Sequence, residues 1–252
     1  MSARGPGFQD LFSRDSASYA KFRPSYPREL IAWVAALPGG RRLAWDCATG
    51  NGQAAALLAG YFERVVGTDA SPTQLRAASR GPRVAYLAAL AEATPLADRR
   101  VDLVTVAQAL HWLELPRFFA EIDRVAAPGA ALAVWGYARL RTFPAIDKLI
   151  DRFHDETVGP YWPTERKLVE EGYRSFALPI AEVPPPPLAI EASLTLPELC
   201  GYLRTWSAVG KYQRVHGSDP VAMLEPELAA CWGEAASRRI EWPLFVRAGR
   251  WR

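Results

Sequence analysis

Two acids, separated by a glycine-bearing turn and a short helix, are the residues of this chain best suited to chemistry. The run Leu43-Ala44-Trp45 is apolar and ends in Asp46. Cys47-Ala48-Thr49-Gly50-Asn51-Gly52 then turns the chain into an alanine-rich stretch that starts at Gln53. A second apolar run, Val65 to Thr68, ends in Asp69, 17 residues after Gly52. A carboxylate at the first strand tip suits an ammonium group. Gly50 and Gly52 lack Cβ and so admit a ligand close to the backbone. A carboxylate at the second tip suits the two hydroxyls of a ribose. The set fits a nucleoside that also carries an amino acid.

These residues need elements that bring both tips to one edge, and the surrounding pattern supplies them. Strands are predicted over Arg42–Asp46, Arg64–Thr68, Val84–Leu87, Val101–Ala107 and Ala131–Trp135. Helices are predicted between them over Gln53–Tyr61, Pro72–Ser79 and Pro116–Ala126, with Ser71 as N-cap and Pro72 at the first helical position. A helix opened by Pro27 and closed by Pro38-Gly39-Gly40 precedes them, and a mixed segment from Gln9 to Phe22 reads as a further helix. Short apolar strands alternating with helices imply an α/β fold whose parallel sheet is covered on both faces.

After Tyr137 the rhythm changes. Helices are predicted over Thr142–Val158, Thr195–Val209 and Pro220–Ser237, with Thr195 and Glu198 at capping-box spacing. Strands are predicted over Leu188–Leu194 and Ile240–Val246, where Pro243 argues for an edge or a bulge. Residues 1–137 are therefore expected to hold the N-terminal helices and the nucleoside-binding core. Residues 138–252 are expected to add cap helices and the remaining strands of the same compact domain.

Gly50-Asn51-Gly52-Gln53-Ala54-Ala55 also fits the loose GxGxxG/A pattern of dinucleotide sites. Asp46 argues against that use, because an acid aimed at the loop repels pyrophosphate but attracts the ammonium of S-adenosyl-L-methionine. None of the lysines has a tyrosine four positions earlier, so the pair used for hydride transfer on this fold is missing.

Several ordered segments carry a resemblance. Tyr19 to Pro27 reads YAKFRPSYP, Asp46 to Gly52 reads DCATGNG, and Val66 to Ser71 reads VGTDAS. Ala91 to Leu96 reads AEATPL, Gln108 to Trp112 reads QALHW, Arg124 to Gly129 reads RVAAPG, and Gly201 to Ser207 reads GYLRTWS. From about residue 12 to about residue 250 the chain resembles the class I S-adenosylmethionine-dependent methyltransferases, in particular the type 11, trans-aconitate methyltransferase-like group. The resemblance implies a Rossmann-like, doubly wound, mostly parallel seven-stranded sheet with a helical cap from the C-terminal part. It implies an enzyme that moves a methyl group from S-adenosyl-L-methionine to a small molecule.

Carried over residue by residue, the resemblance puts Asp46, Ala48, Gly50, Gly52, Asp69, Ala91, Glu92, Ala107 and Gln108 around the cofactor. Ala91 and Glu92 would flank the adenine, and Ala107 and Gln108 the methionine. Ala48 departs from the pattern, since the family has glycine there. If the backbone at this turn needs positive φ, alanine costs roughly 1 kcal/mol or more. A nicotinamide-dependent oxidoreductase and a non-catalytic S-adenosylmethionine-binding protein are the alternatives, the second motivated by Ala48.

For the methyl acceptor, His111 is the one general-base candidate, because it follows the fourth strand on the acceptor side. Tyr19, Arg23, His111, Trp112 and Arg204 are the acceptor-binding candidates, the arginines because a planar fork matches a carboxylate. The resemblance extends to methyltransferases that act on small carboxylic acids, so O-methylation of a small organic acid is the reaction it implies. Trp112, Trp162, Trp206 and Trp232, with Tyr19, Tyr26, Tyr161, Tyr202 and Tyr212, are candidates for an apolar pocket under the cap. His154, among Asp151, Asp155 and Glu156, reads as part of a solvated polar face, and His216 carries no visible role.

Composition narrows the classes. Half of the 252 residues are hydrophobic and 23% are charged, which suits a folded globular protein. A formal charge of +3 with no basic stripe argues against nucleic acid as a partner, and Arg247, Arg250 and Arg252 read as a solvated chain end. Three scattered cysteines give no disulfide framework and no metal pair. With no apolar run of about 18 residues and no signal-like start, a cytoplasmic protein without a membrane partner is expected. The oligomeric state is not readable.

Overall fold

The computed structural model describes residues 24–252. Tyr19, Arg23 and the helix expected over Gln9–Phe22 lie outside the described residues.

Five parallel strands form the centre: β1 (Leu43–Cys47), β2 (Arg64–Asp69), β3 (Val84–Ala88), β4 (Val101–Ala107) and β5 (Ala126–Tyr137). Their order in the sheet is β3-β2-β1-β4-β5, continued by β8 (Arg238–Trp251) and β6 (Ile180–Glu182), which makes seven strands in line. β8 runs antiparallel to β5, and β7 (Ala189–Leu194) pairs off this path with the first part of β8. The sheet is therefore mostly parallel and doubly wound, with the strand order reversing between β1 and β4.

Alternation along the strands divides the core into two faces. Trp45, Val104, Val106, Leu132 and Val134 pack against Phe118, Ile122 and Val125 of α4 (Leu115–Val125). Ala44, Leu103, Ala131, Ala133 and Trp135 pack on the other face against α1 (Arg28–Ala35) and α2 (Gln53–Leu58). Both faces of β4 are covered, so residues 101–106 are buried without exception, and the two polar ones are bonded: Asp102 accepts the Arg42 and Leu43 amides and Thr105 donates to Asp46. A short α3 (Pro72–Arg76) follows β2, with the Ser71 hydroxyl accepting the Gln74 amide as expected of an N-cap.

A third core belongs to the cap. It gathers Ile146 and Ile150 of α5 (Pro144–Arg152), Leu199 and Leu203 of α7 (Leu196–Arg204), Val209 of α8 (Ser207–His216) and Leu224 and Leu228 of α9 (Pro220–Trp232). It closes over Ile190 of β7 and over Ile240 and Trp242 in the first half of β8. A short α6 (Arg166–Glu170) leads from this cap back to the sheet. Pro243 stands where β8 passes from its pairing with β7 to its pairing with β5, a place where a missing N–H is tolerated. The Thr195–Glu198 capping box is present.

Several boundaries differ from expectation. The helix predicted over Thr195–Val209 is broken in two, because Trp206 is extended (ψ 131°) and the Thr205 hydroxyl donates to the Tyr202 carbonyl at 2.6 Å. α9 stops at Trp232 rather than near Ser237, because Gly233 turns at φ 68°. The strand predicted as Ala131–Trp135 begins at Ala126, so Pro128-Gly129 lies inside it, at the shift of register between Val101 and Leu103. β6 was not predicted, since three residues, two of them exposed, leave no periodicity to read.

Gly249 of β8 lies against β6, and a Cβ there would come within 2.0 Å of the Ala181 carbonyl oxygen. The obstacle is backbone, so it cannot rotate away. Gly249→Ala is expected to push β6 off the sheet and to lower stability by about 1–3 kcal/mol, read as a lower urea midpoint. An unchanged midpoint would show that β6 contributes nothing.

Candidate active site

Asp46, Asp69 and Gln108 come together because three neighbouring parallel strands end at one edge. In register, Asp46 faces Gly67 of β2 and Thr105 of β4, and Asp69 faces Ala88 of β3. On an open sheet of this kind the crevice forms at the carboxyl ends of the strands, where their order reverses.

Asp46 is 1% exposed. One of its oxygens accepts from the Thr49 hydroxyl and, at 3.1 Å, from the Ala55 amide; the other accepts from the Thr105 hydroxyl at 2.8 Å. The acid thereby ties β1 to its own loop, to the first turn of α2 and to β4. Burial pushes its pKa up to about 6, against the pull of those three bonds, and the nearby charge of Asp69 adds to the rise. Asp69 is half-buried and accepts from the amides of Gly50 at 2.9 Å and Ser71 at 2.8 Å, which joins the loop after β1 to the turn after β2.

The loop between these acids is left-handed at three alternate positions: Ala48 (φ 52°), Gly50 (φ 57°) and Gly52 (φ 80°). A Cβ on Gly50 would meet nothing within 4 Å, so this turn opens on free space. Gly52 is required for a second reason, because a Cβ there would fall 2.1 Å from the Tyr86 hydroxyl oxygen. Tyr86 of β3, which the sequence did not single out, lies across Gly52 and Gly67. Gln108, just past β4, is also left-handed (φ 57°) and turns the chain from the sheet into the short 3-10 turn Leu110–Trp112. Ala107 is half-buried, Ala91 is buried, and Glu92 accepts the Glu114 amide at 2.9 Å ahead of α4. Leu90 beside them is 53% exposed, a bare apolar side chain in the segment read as flanking the adenine.

Next to this edge lies a cleft of about 80 Å³. Gln108, His111 and Trp112 form its sheet side, and Trp162, Tyr202 and Trp206 its cap side. Arg139 and Arg166 also line it. Arg139 is held by Asp151 and Asp155. Arg166 stacks on Trp162 at 4.8 Å and gives its Nε to Glu170 at 3.2 Å; among the described residues its terminal nitrogens have no hydrogen-bond partner. His111 Nδ1 lies 2.7 Å from the hydroxyl of Tyr173, and burial, with the charge of Arg166, lowers its pKa to about 4. The imidazole is therefore uncharged at neutral pH.

The structure sorts the other candidates. Arg204 is engaged elsewhere, by Asp219 at 2.7 Å and Glu225 at 3.4 Å, and does not line the cleft. Trp232 lies in the cap core, Tyr26 packs on Trp135, and Tyr161 groups with Tyr212 and His216. His154 is not on a solvated face: it is 3% exposed between Trp162 and Trp206, with Nδ1 2.7 Å from Asp155. Arg247 is not a solvated end either, because it holds Glu182 and the carbonyls of Tyr173 and Phe176. Arg139, Arg166 and Tyr173 carried no local signal. Arg166 and Glu170 read as an ordinary i, i+4 pair, and only the return of α6 to the sheet brings Arg166 beside His111.

Among the described residues no helix is long and apolar enough to cross a membrane. Residues 45–134 match the methyltransferase domain family. The fold is similar to a solved structure from Anaeromyxobacter dehalogenans described as a candidate type II methyltransferase, with a TM-score of 0.86 and 44% identity over 91% of this chain and 98% of that one. A Dictyostelium discoideum protein described as a candidate methyltransferase is 29% identical over 95% of this chain and 94% of its own length. A Mycobacterium tuberculosis protein named an uncharacterized methyltransferase is 39% identical over 49% of this chain and 51% of its own.

Ala48 holds a left-handed backbone that costs an L-residue ~1–2 kcal/mol. Ala48→Gly removes that strain and gives back ~0.4–1 kcal/mol through the freer unfolded chain. The variant is expected to be more stable by roughly 1 kcal/mol, measured by urea titration; a lower midpoint would show that alanine is at ease at this φ.

Proposed function

The chain belongs to the class I S-adenosylmethionine-dependent methyltransferases, and within that family we propose that it methylates a small organic acid on a carboxylate oxygen. Membership selects methyl transfer over the hydride transfer that the glycine pattern alone left open. The observation that carries the choice of acceptor is Arg166: a guanidinium set in an aromatic-walled cleft, stacked on Trp162, with terminal N–H groups that bond to no described residue. A planar fork of this kind matches a carboxylate.

The residues at the strand tips fit the cofactor. Asp69, held between two amides, would take the ribose hydroxyls. Gly50, whose missing side chain leaves open space, would let the cofactor lie against the backbone. Ala48 and Gly52 shape the same loop, Ala91, Glu92 and the exposed Leu90 would flank the adenine, and Ala107 and Gln108 would border the methionine. Asp46 would contribute its charge to the ammonium from below the loop. When bound, the cofactor supplies a methyl group already activated by the sulfonium. The protein then has to orient the acceptor and exclude water. Trp112, Trp162, Tyr202 and Trp206 do the second, and Arg166 and His111 the first. Arg139, neutralised by Asp151 and Asp155, would line the wall without binding the acid.

Asp69→Ala is expected to weaken binding of S-adenosylhomocysteine at least tenfold by calorimetry without unfolding the chain; equal affinity would remove Asp69 from the site. Asp46 has a folded pKa raised to about 6, so it is protonated below that pH and presents its charge only above it. Affinity for the same ligand is then expected to fall about tenfold from pH 7 to pH 5, and Asp46→Asn to flatten the profile. A flat wild-type profile would exclude Asp46 as the anion that the ammonium senses.

The acceptor is tested by incubating the protein with S-adenosylmethionine and a panel of small carboxylic acids, phenols and amines, with products read by mass spectrometry. Methyl esters are expected. Arg166→Leu is expected to raise KM for the acid at least tenfold, and His111→Ala to leave S-adenosylhomocysteine binding intact. Turnover of amines or phenols alone, with Arg166→Leu neutral, would overturn the reading.

A further inference from the structure

Tyr173 is 0% exposed and adopts a left-handed backbone (φ 57°) directly after Gly172 (φ 62°). The pair closes α6: the Tyr173 amide bonds to the Leu168 carbonyl at 2.9 Å and the Gly172 amide to the Val169 carbonyl at 2.9 Å, a Schellman turn. Arg247 of β8 clamps the turn from below through the Tyr173 carbonyl at 2.7 Å and the Phe176 carbonyl at 2.6 Å. Phe245 meets the tyrosine ring edge-on at 5.2 Å and Phe176 stacks on it at 5.7 Å. A strained residue fixed from several sides is a placed residue. What it places is a hydroxyl 2.7 Å from His111 Nδ1.

Among the described residues the hydroxyl has one hydrogen-bond partner, His111 Nδ1. A fully buried phenol must place its own hydrogen on an acceptor, and His111 Nδ1 is the acceptor in reach. We infer that Tyr173 fixes His111 as the Nε2–H tautomer, so that the cleft receives a hydrogen-bond donor from His111 and not a base. Tyr173 is on this account a positioning residue. Its phenol is held well above its ordinary pKa by burial, so it keeps its proton throughout. A donor at Nε2 beside the Arg166 guanidinium suits an acceptor that arrives already ionised and leaves a neutral phenol or a protonated amine without a base. The consequence for the acceptor rests on the acid-methylation reading above; the tautomer itself does not.

The chain has three histidines, so long-range 15N–1H correlation spectra resolve each ring, and the His111→Gln spectrum assigns His111 by its loss. At pH 7 the wild type is expected to show His111 with a protonated Nε2 and a bare Nδ1. Tyr173→Phe, which keeps the ring and its packing, is expected to lose that preference and show averaged nitrogens. A protonated Nδ1 in the wild type, or an unchanged spectrum in Tyr173→Phe, overturns the inference; should the variant fail to fold, the wild-type spectrum still decides. With an acid that is turned over, His111→Gln, which keeps a donor but not a base, is expected to retain at least about a tenth of wild-type kcat/KM. His111→Leu is expected to lose about 100-fold or more. Glutamine falling as far as leucine would mean that His111 takes a proton, and would sink the inference. If no acid is turned over, the spectra still report the tautomer, and the acceptor assignment alone fails.

Discussion

The carboxylate of Asp46 sits where β1, its loop, α2 and β4 meet, and the shape of the strand-tip edge depends on what it binds. It takes the Thr49 hydroxyl, the Ala55 amide and the Thr105 hydroxyl at once. Few other side chains serve there. The Ala55 amide belongs to the first turn of α2, where backbone N–H groups have no partner within the helix. A buried acid answers that need and anchors the helix to the strand. The loop between them is then forced through a tight path of alternating left-handed residues. Asp69 repeats the device one strand away by joining the Gly50 and Ser71 amides.

Strain is concentrated where the chain leaves the sheet. Of the four non-glycine residues with positive φ among the described residues, Ala48 and Gln108 lie at strand tips and Tyr173 behind the cleft wall. Arg99, the fourth, lies just ahead of β4, at the opposite end of that strand. Each of the first three turns the backbone more sharply than an extended or helical residue allows, and each sets a group facing the cleft or its wall. The fold meets such local costs through the packed strands on either side, which leave the chain no other route.

The cap answers a different constraint. Its helices share a core with the first half of β8 and with β7, while the second half of β8 pairs with β5. One strand thus carries both the sheet and the cap, so the aromatic wall of Trp162, Tyr202 and Trp206 is registered against the strand tips by backbone pairing. The break at Thr205–Trp206 aims an indole at the cleft that a continuous helix would have carried past it. Charges behind the wall, such as Asp155 on Arg139 and Glu170 on Arg166, hold long side chains in place where they would otherwise sample many rotamers.

The sequence alone determined what is written in local chemistry. Strand β4 was legible to the residue because burial on both faces fills it with apolar and β-branched residues, Asp102 excepted. Asp46, Gly50, Gly52 and Asp69 were legible because a strand tip, a turn and a second tip follow each other within one βαβ unit. The Thr195–Glu198 box was legible because caps act over three residues. The tertiary structure decided everything that depends on distant segments meeting. β6 has too few residues to carry a period. Arg166 became a cleft residue, and Arg204 a paired one, according to which elements packed beside them. Arg247, 74 positions from Tyr173, became the clamp on a turn that no window of sequence contains. Local pattern reports the conformation a segment prefers and the face it buries. Which groups share a cleft is set by the packing of whole elements, and that information is spread over the entire chain.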